Sequence, residues 1–122
     1  MLRQFVILEH TTPDDTHWDF MLEDGFSLLT WSFEPQPNLL EHKTVRVDAK
    51  RLPAHRLEYL DYEGEVSDNR GSVRCIMKGN YMPMLRSRAF LMGENGLMYL
   101  AQLYEDGLAF LPMVEVECDE DK

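Results

Sequence analysis

The fold is decided by the stretch HWDFMLEDGFSLLTWSF, residues 17–33. From His17 to Glu23 the side chains alternate between two faces, and one face carries only large apolar residues, as in a strand with one side buried. Asp24-Gly25 is a strong two-residue hairpin turn, so residues 26–33 would return antiparallel to the strand before it. The stretch therefore predicts a β-hairpin.

Similar signals recur on both sides of this hairpin. Phe5 to Leu8 is a short apolar run with β-branched residues, and Val45 and Val47 alternate with charged residues. Glu94-Asn95-Gly96 and Asp106-Gly107 are hairpin turns between later apolar segments. These signals predict about seven or eight strands, at the short, regular spacing that is typical of an antiparallel barrel or sandwich.

The domain organisation is simple, because the chain has no internal repeat, low-complexity stretch or linker. We expect one mainly β domain over residues 1–114, followed by an acidic tail, residues 115–122, that frays. Short helices are expected around Asn38 to Glu41 or His55 to Leu60.

Charge is distributed unevenly along the chain. The 122 residues include 12 basic and 22 acidic side chains, for a net charge of −10. Averaged over the surface, this charge repels nucleic acid and anionic lipid and excludes non-specific wrapping of DNA. Residues 43–88, however, contain ten basic and six acidic residues, and a face built from them could meet a phosphate. A solvated, mixed-charge surface is the simpler interpretation of this segment.

Membrane insertion and disulfide scaffolds are not expected. The uncharged apolar runs are far shorter than the roughly 20 residues of a membrane helix. The first residues lack the basic and apolar regions of a secretory signal, so we expect a cytoplasmic protein with no membrane contact. Cys75 and Cys118 lie far apart without a neighbouring ligand, which argues against a disulfide framework or a zinc ribbon.

Three residues of metal-ligand type lie within ten positions. They are His10, His17 and Asp19, and strand alternation places His17 and Asp19 on one face. Two imidazoles and a carboxylate suit a divalent cation such as Mn, Fe(II) or Zn, because nitrogen donors satisfy a borderline cation while the carboxylate offsets its charge. A hydrogen-bonded surface pair is the common alternative for His-x-Asp on a strand.

A second pair of candidate residues is His55 and Tyr59, which share a face whether the segment is helix or strand. An imidazole can protonate a leaving oxygen, and a phenol can donate a hydrogen bond to a phosphate oxygen. A tyrosine at the edge of the core, with its hydroxyl hydrogen-bonded, is an equally good interpretation.

Several strings occur in an order that is more specific than any of them alone. They are Glu9-His10, His17-Trp18-Asp19-Phe20-Met21-Leu22-Glu23, Trp31, Val45-Arg46-Val47, residues 55–64, Gly71-Ser72-Val73 and Gly79-Asn80-Tyr81. Over most of the chain this order resembles the 3′-phosphoesterase domain of bacterial DNA ligase D, which also occurs as a stand-alone protein.

The resemblance implies a compact antiparallel β-barrel with short flanking helices and a manganese-dependent hydrolase of DNA repair by non-homologous end joining. Family members trim 3′ ends of DNA at a primer-template by removing a terminal ribonucleoside and then the 3′-phosphate. The resemblance assigns the metal to His10, His17 and Asp19, and places His55 and Tyr59 at the phosphate. Mn(II) is the expected cation, and Zn, Co and Fe(II) are compatible with the ligands. A separate DNA ligase or polymerase is the expected partner.

The chain also departs from the family pattern. Met21 stands where the family has arginine and cannot give a phosphate a bidentate cationic contact. Leu8 replaces a glutamine, Pro53 replaces a glutamate, and Pro35-Gln36 falls where the family has a lysine. Other bases of the middle segment could supply the missing charge, namely Arg46, Arg56, Arg74 and also Arg70.

Four hypotheses result. The leading one is a metal-dependent phosphoesterase acting on 3′ ends of DNA. The departures motivate a second, in which the fold and metal site persist as a DNA-end-binding module without turnover. The residue types alone also fit an Fe(II) oxygenase with two histidines and one carboxylate. The fourth is an acidic β-barrel with surface histidines and no such activity.

Overall fold

The computed structural model describes residues 2–34 and 43–113, and its regular secondary structure is almost entirely strand. The strands are β1 (Arg3–Thr11), β2 (Thr16–Asp24), β3 (Ser27–Phe33), β4 (Val45–Asp48), β5 (Lys50–Arg56), β6 (Gly64–Glu65), β7 (Ser72–Met84), β8 (Arg88–Gly93), β9 (Met98–Leu103) and β10 (Gly107–Pro112). Three features of the sequence lie outside the described residues. They are the expected helix at 38–41, the Pro35-Gln36 difference from the resembling family, and the acidic tail at 115–122.

The strands form one antiparallel sheet in the order β4-β10-β9-β8-β7-β1-β2-β3-β5, with β6 paired to β7. The two end strands, β4 and β5, are consecutive in the chain and are separated only by Ala49. The Ala49 backbone N–H donates a hydrogen bond of 3.0 Å to the carbonyl of Asp106 beside this seam. The sheet is therefore a nearly closed nine-stranded barrel, and the predicted antiparallel β-barrel is confirmed.

Residues 2–34 and 43–113 contain ten strands, where the sequence predicted seven or eight. The additional strands are β5, in which buried and exposed side chains do not alternate, and β6, which has only two residues. In the described ranges the helical structure is one 3-10 turn, Leu57–Leu60, inside the segment where a short helix was expected. No helix in those ranges has the length and apolar content needed to cross a bilayer.

Two apolar clusters lie on opposite faces of the sheet. The larger fills the barrel and contains aromatic side chains such as Phe5, Phe20 and Tyr99, all at most 1% exposed. The smaller covers the outer face of β1, β2 and β3, and the 3-10 turn closes it through Leu60. Its members are Val6, Leu8, Met21, Leu28, Leu60 and Val73. The candidate metal ligands occupy the same outer face, next to this smaller cluster.

Candidate metal centre and the adjoining cleft

The three candidate ligands converge at one end of the β1–β2 pair. His10 and His17 are directly opposite each other in the register of the two strands. His10 Nδ1 lies 3.2 Å from His17 Nε2, and His17 Nε2 lies 3.5 Å from Asp19 Oδ2. One potential ligand atom from each residue lies within 4.8 Å of the other two. The hairpin therefore brings together the three residues that the sequence singled out for a metal.

The orientation of the His10 ring is set by a backbone carbonyl. His10 Nε2 lies 2.6 Å from the carbonyl oxygen of Arg70, and because that oxygen only accepts, Nε2 is the protonated nitrogen. The lone pair of the neutral ring is then on Nδ1, which faces His17. Metal-binding histidines commonly donate their second ring nitrogen to a carbonyl in this way, and the contact fixes the tautomer.

Gly71 permits the close approach of this carbonyl. Its φ is +91°, and a Cβ built there would lie 1.9 Å from the carbonyl oxygen of Thr11. A side chain at residue 71 would therefore push the loop away from the end of β1. Because Gly71 has no side chain, the loop can approach β1 closely enough for the Arg70 carbonyl to reach His10.

Asp19 is a buried carboxylate with one unpaired oxygen. The residue is 3% exposed, and its Oδ1 has no hydrogen-bond partner within residues 2–34 and 43–113. Burial of a carboxylate is costly unless a positive charge or hydrogen-bond donors compensate it. A divalent cation between the two imidazoles would supply that charge, so the donor set and the unpaired oxygen fit a metal.

The carboxylate of Asp19 also shifts the pKa of His17. The hydrogen bond between the two residues and the negative charge of Asp19 raise the pKa of His17 above its ordinary value, although partial burial opposes the shift. A proton on His17 and a metal ion would compete for the same nitrogen. The pocket between the imidazoles and Asp19 is thus built to hold positive charge.

His10 and Asp19 line a cleft of about 580 Å³ that also contains His55 and Tyr59. The His55 Nδ1–H donates to the carbonyl of Pro53 at 3.0 Å, which leaves Nε2 for a ligand. The rings of His55 and Tyr59 meet edge to face with centroids 6.0 Å apart. The structure therefore brings these two residues to the cleft of the metal ligands.

Three of the residues that depart from the pattern of the resembling family, Leu8, Met21 and Pro53, also line this cleft. Leu8 and Met21 are each 1% exposed and belong to the smaller apolar cluster, so they form part of the cleft floor. Pro53 lies on the rim beside His55. The departures thus give this side of the cleft an apolar surface.

The four arginines predicted to supply the missing charge are distributed differently, and Arg70 and Arg56 line this cleft. Arg56 lines the cleft, with its guanidinium 3.5 Å from the carboxylate of Glu58. Arg46 lines a second cleft that includes His17, and its guanidinium lies 4.9 Å from the ring centroid of Tyr104. Arg74 is paired with Glu9 at 3.1 Å and lines neither cleft.

Sequence reasoning assigned no site role to three further residues of the first cleft: Tyr62, Glu65 and Ser67. Tyr62 donates its hydroxyl hydrogen to the carbonyl of Glu65, and its ring lies edge to face against Tyr59, with centroids 5.9 Å apart. The aromatic and acidic residues of the segment 59–65 were the available signal, although no spacing marked them as part of a site.

Comparison with known proteins adds no functional assignment. A scan against protein-family models and a search of curated proteins both find no match to this chain. The chemistry available to the site is that of two imidazoles and a carboxylate beside an aromatic cleft with two arginines, Arg56 and Arg70. Such a set can hold a divalent cation and receive an anionic ligand.

Proposed function

We propose that this protein is a metal-dependent phosphoesterase acting on 3′ ends of DNA, with Mn(II) held by His10, His17 and Asp19. The observation that carries the proposal is the convergence of these three residues, with an unpaired buried carboxylate oxygen, beside the cleft that contains His55 and Tyr59. A surface pair of histidines would not require the burial of Asp19.

The side chains of the cleft have distinct roles in this proposal. A bound divalent cation would withdraw charge from a phosphate oxygen and so favour attack by water. His55, oriented by its Nδ1–H hydrogen bond to the carbonyl of Pro53, would in its imidazolium form donate the Nε2 proton to the leaving oxygen. The hydroxyl of Tyr59 would donate to a non-bridging phosphate oxygen and position the ester.

Arg70 lines the cleft, but its guanidinium donates to Ser67. Arg56 is better placed to bind phosphate than Arg46 or Arg74. It lines the cleft, and its side chain is 86% exposed, so it can turn from Glu58 toward an incoming phosphate. Arg46 would contact a more distant part of a nucleic acid through the second cleft. We propose no phosphate contact for Arg74, because it lines neither cleft and its guanidinium is paired with Glu9.

DNA as the substrate is supported by the ordered strings described above and by the basic middle segment, which supplies Arg56 and Arg70 to the cleft. The substrate would be a primer-template ending in a 3′-phosphate or one 3′-ribonucleotide. A separate ligase or polymerase would then use the trimmed end.

A binding module without turnover is the second candidate. It is favoured by the burial of Leu8 and Met21, since these apolar side chains occupy positions where the resembling family has a glutamine and an arginine. Such a module would hold Mn(II) and a 3′ end through His10, His17 and Asp19 without releasing a product.

A single-turnover assay separates the two candidates. Protein in excess is mixed with Mn(II) and an end-labelled primer-template carrying either 3′ end, beside His17→Ala and the control Phe26→Ala, whose side chain is 98% exposed at a hairpin tip. The proposal expects release by the native chain and the control but not by His17→Ala. Mn(II) binding without release indicates the module, and release that persists in His17→Ala overturns the metal assignment.

A further inference from the structure

We propose that Ser32 and Lys50 form a subsite for a second phosphate of the substrate strand. The inference rests on the proposed function and adds a path for the DNA strand. The reacting phosphate lies in the first cleft, and the next phosphodiester toward the 5′ side lies in the second cleft, beyond the metal ligands. The sequence assigned no role to either residue.

The candidate metal ligands lie where the two clefts adjoin. His10 and Asp19 line the first cleft together with His55 and Tyr59, whereas His17 lines the second cleft, which has a volume of about 870 Å³. The three ligands are nevertheless neighbours, since His17 Nε2 is 3.2 Å from His10 and 3.5 Å from Asp19. A strand whose reacting phosphate meets His55 and Tyr59 can therefore continue past the ligands into the second cleft.

The sheet register places a hydroxyl and an ammonium group on the second-cleft side of the ligands. Asp19 is paired with Ser32 on β3, and Ser32 is paired with Lys50 on β5. Directly paired residues point to the same face of a sheet. Neighbouring strands are about 4.8 Å apart, so the Cα atoms of Asp19 and Lys50 are separated by about 10 Å. Ser32 and Lys50 line the second cleft with His17.

The ammonium group of Lys50 is available to a ligand. The residue is exposed, and within residues 2–34 and 43–113 its side chain forms no hydrogen bond or ion pair. The neighbouring arginines on β4 and β5 are engaged by aromatic rings. Arg46 lies 4.9 Å from the ring centroid of Tyr104, and Arg51 lies 4.6 Å from that of Trp31. Lys50 can therefore turn its flexible stem toward a phosphate without breaking a contact.

The second cleft is not positively charged as a whole. Its charged lining residues are two cations, Arg46 and Lys50, and the three carboxylates of Asp15, Glu34 and Asp48. A divalent cation beside the imidazole that lines this cleft would offset two of the negative charges. A phosphate here depends on contacts with individual cations rather than on a broad positive field, so the loss of one cation should have a measurable effect.

Fluorescence anisotropy tests the subsite through binding alone. The probe is a labelled primer-template ending in a 3′-hydroxyl, which is the product of the proposed reaction and retains the phosphodiester assigned to Lys50. It is titrated with the Mn(II)-loaded protein at several salt concentrations. Lys50→Met should raise Kd about tenfold. The slope of log Kd against log salt should become shallower by about 0.7–0.9, as expected for the loss of one phosphate contact. Lys50→Arg should restore most of the affinity.

Arg86→Met is the matched control. Arg86 is exposed at the turn between β7 and β8, lines neither cleft and, like Lys50, has no side-chain partner in the described part of the chain. This variant should bind the probe with the native Kd and slope. Ser32→Ala should raise Kd about threefold, because a neutral hydrogen bond contributes less than a charged one. A native Kd and slope in Lys50→Met, or an equal loss in Arg86→Met, overturns the inference.

Turnover of a small ester separates the subsite from the proposed function. p-Nitrophenyl phosphate carries a reacting phosphate but no second one, so Lys50→Met should hydrolyse it within about twofold of the native rate. An equal loss in ester turnover and in DNA binding would place Lys50 at the reacting phosphate or in a structural role, and would contradict the inference. If the native protein hydrolyses no ester while the binding results hold, the phosphoesterase is contradicted and the subsite stands as part of the binding module.

Discussion

His10 and His17 are cross-strand partners on β1 and β2, and their facing nitrogens are 3.2 Å apart. This spacing follows from the antiparallel register, which places directly opposed side chains close together. The carbonyl of Arg70 completes the arrangement by directing the lone pair of His10 toward His17. The pair is therefore positioned by the strand register and by a backbone contact of His10.

Added Mn(II) should stabilise the native chain but not His17→Ala. A ligand that binds only the folded state at about 100 times its Kd adds about 2.7 kcal/mol to the free energy of unfolding. Thermal unfolding with and without Mn(II), reversed by a chelator, measures this effect. An equal shift of Tm in His17→Ala would show that the cation binds elsewhere.

Asp19→Asn should abolish metal binding without lowering the free energy of unfolding of the metal-free protein. The change keeps the size of the side chain and removes a buried charge whose Oδ1 has no partner in the described part of the chain. We expect the metal-free variant to be as stable as the native chain or more stable, because the desolvation cost of the carboxylate is removed. Its Mn(II)-dependent stabilisation should be lost. Urea unfolding in chelator and in Mn(II) measures both quantities, and a variant that is strongly destabilised without metal would contradict this account.

Arg56→Ala and Arg74→Ala form a matched comparison of two exposed arginines from the basic middle segment. Both side chains form ion pairs, with Glu58 and Glu9, but only Arg56 lines the cleft. Loss of a charge-assisted contact to phosphate should lower single-turnover release by about tenfold in Arg56→Ala. Arg74→Ala should retain the native rate, and exposed ion pairs contribute little enough to stability that both variants should fold. Equal losses in the two variants would indicate general attraction of DNA.

Local patterns predicted the parts of the site that lie on one hairpin. Alternation from His17 to Glu23 placed His17 and Asp19 on one face, and the Asp24-Gly25 turn paired β2 with β3 as expected. The contact between Arg74 and Glu9 joins residues 65 positions apart, so no short-range pattern indicates it. The sequence did not predict β5 and β6, because their residues do not alternate between buried and exposed. These two strands form through pairing with neighbouring strands rather than through a buried face of their own.

The Arg70 carbonyl could not be predicted from sequence either, since a backbone group carries no residue signature. Its position depends on the left-handed backbone at Gly71 and on the approach of that glycine to Thr11. Gly71 could be recognised as a turn residue, but its distance to β1 is a property of the assembled sheet. This dependence leads to the last prediction.

Gly71→Ala should damage both stability and metal affinity. Alanine at a φ of +91° is strained by about 1–3 kcal/mol, and its Cβ would lie 1.9 Å from the Thr11 carbonyl oxygen, so the loop must shift. The shift would withdraw the Arg70 carbonyl from His10 and release the ring tautomer, which costs about 10- to 100-fold in metal affinity at comparable sites. Gly25→Ala is the control, because its φ of +65° brings similar strain with no atom within 4 Å. Mn(II) titration of folded protein should show weakened binding only in Gly71→Ala. Equal affinities in the two variants would mean that the carbonyl does not orient His10.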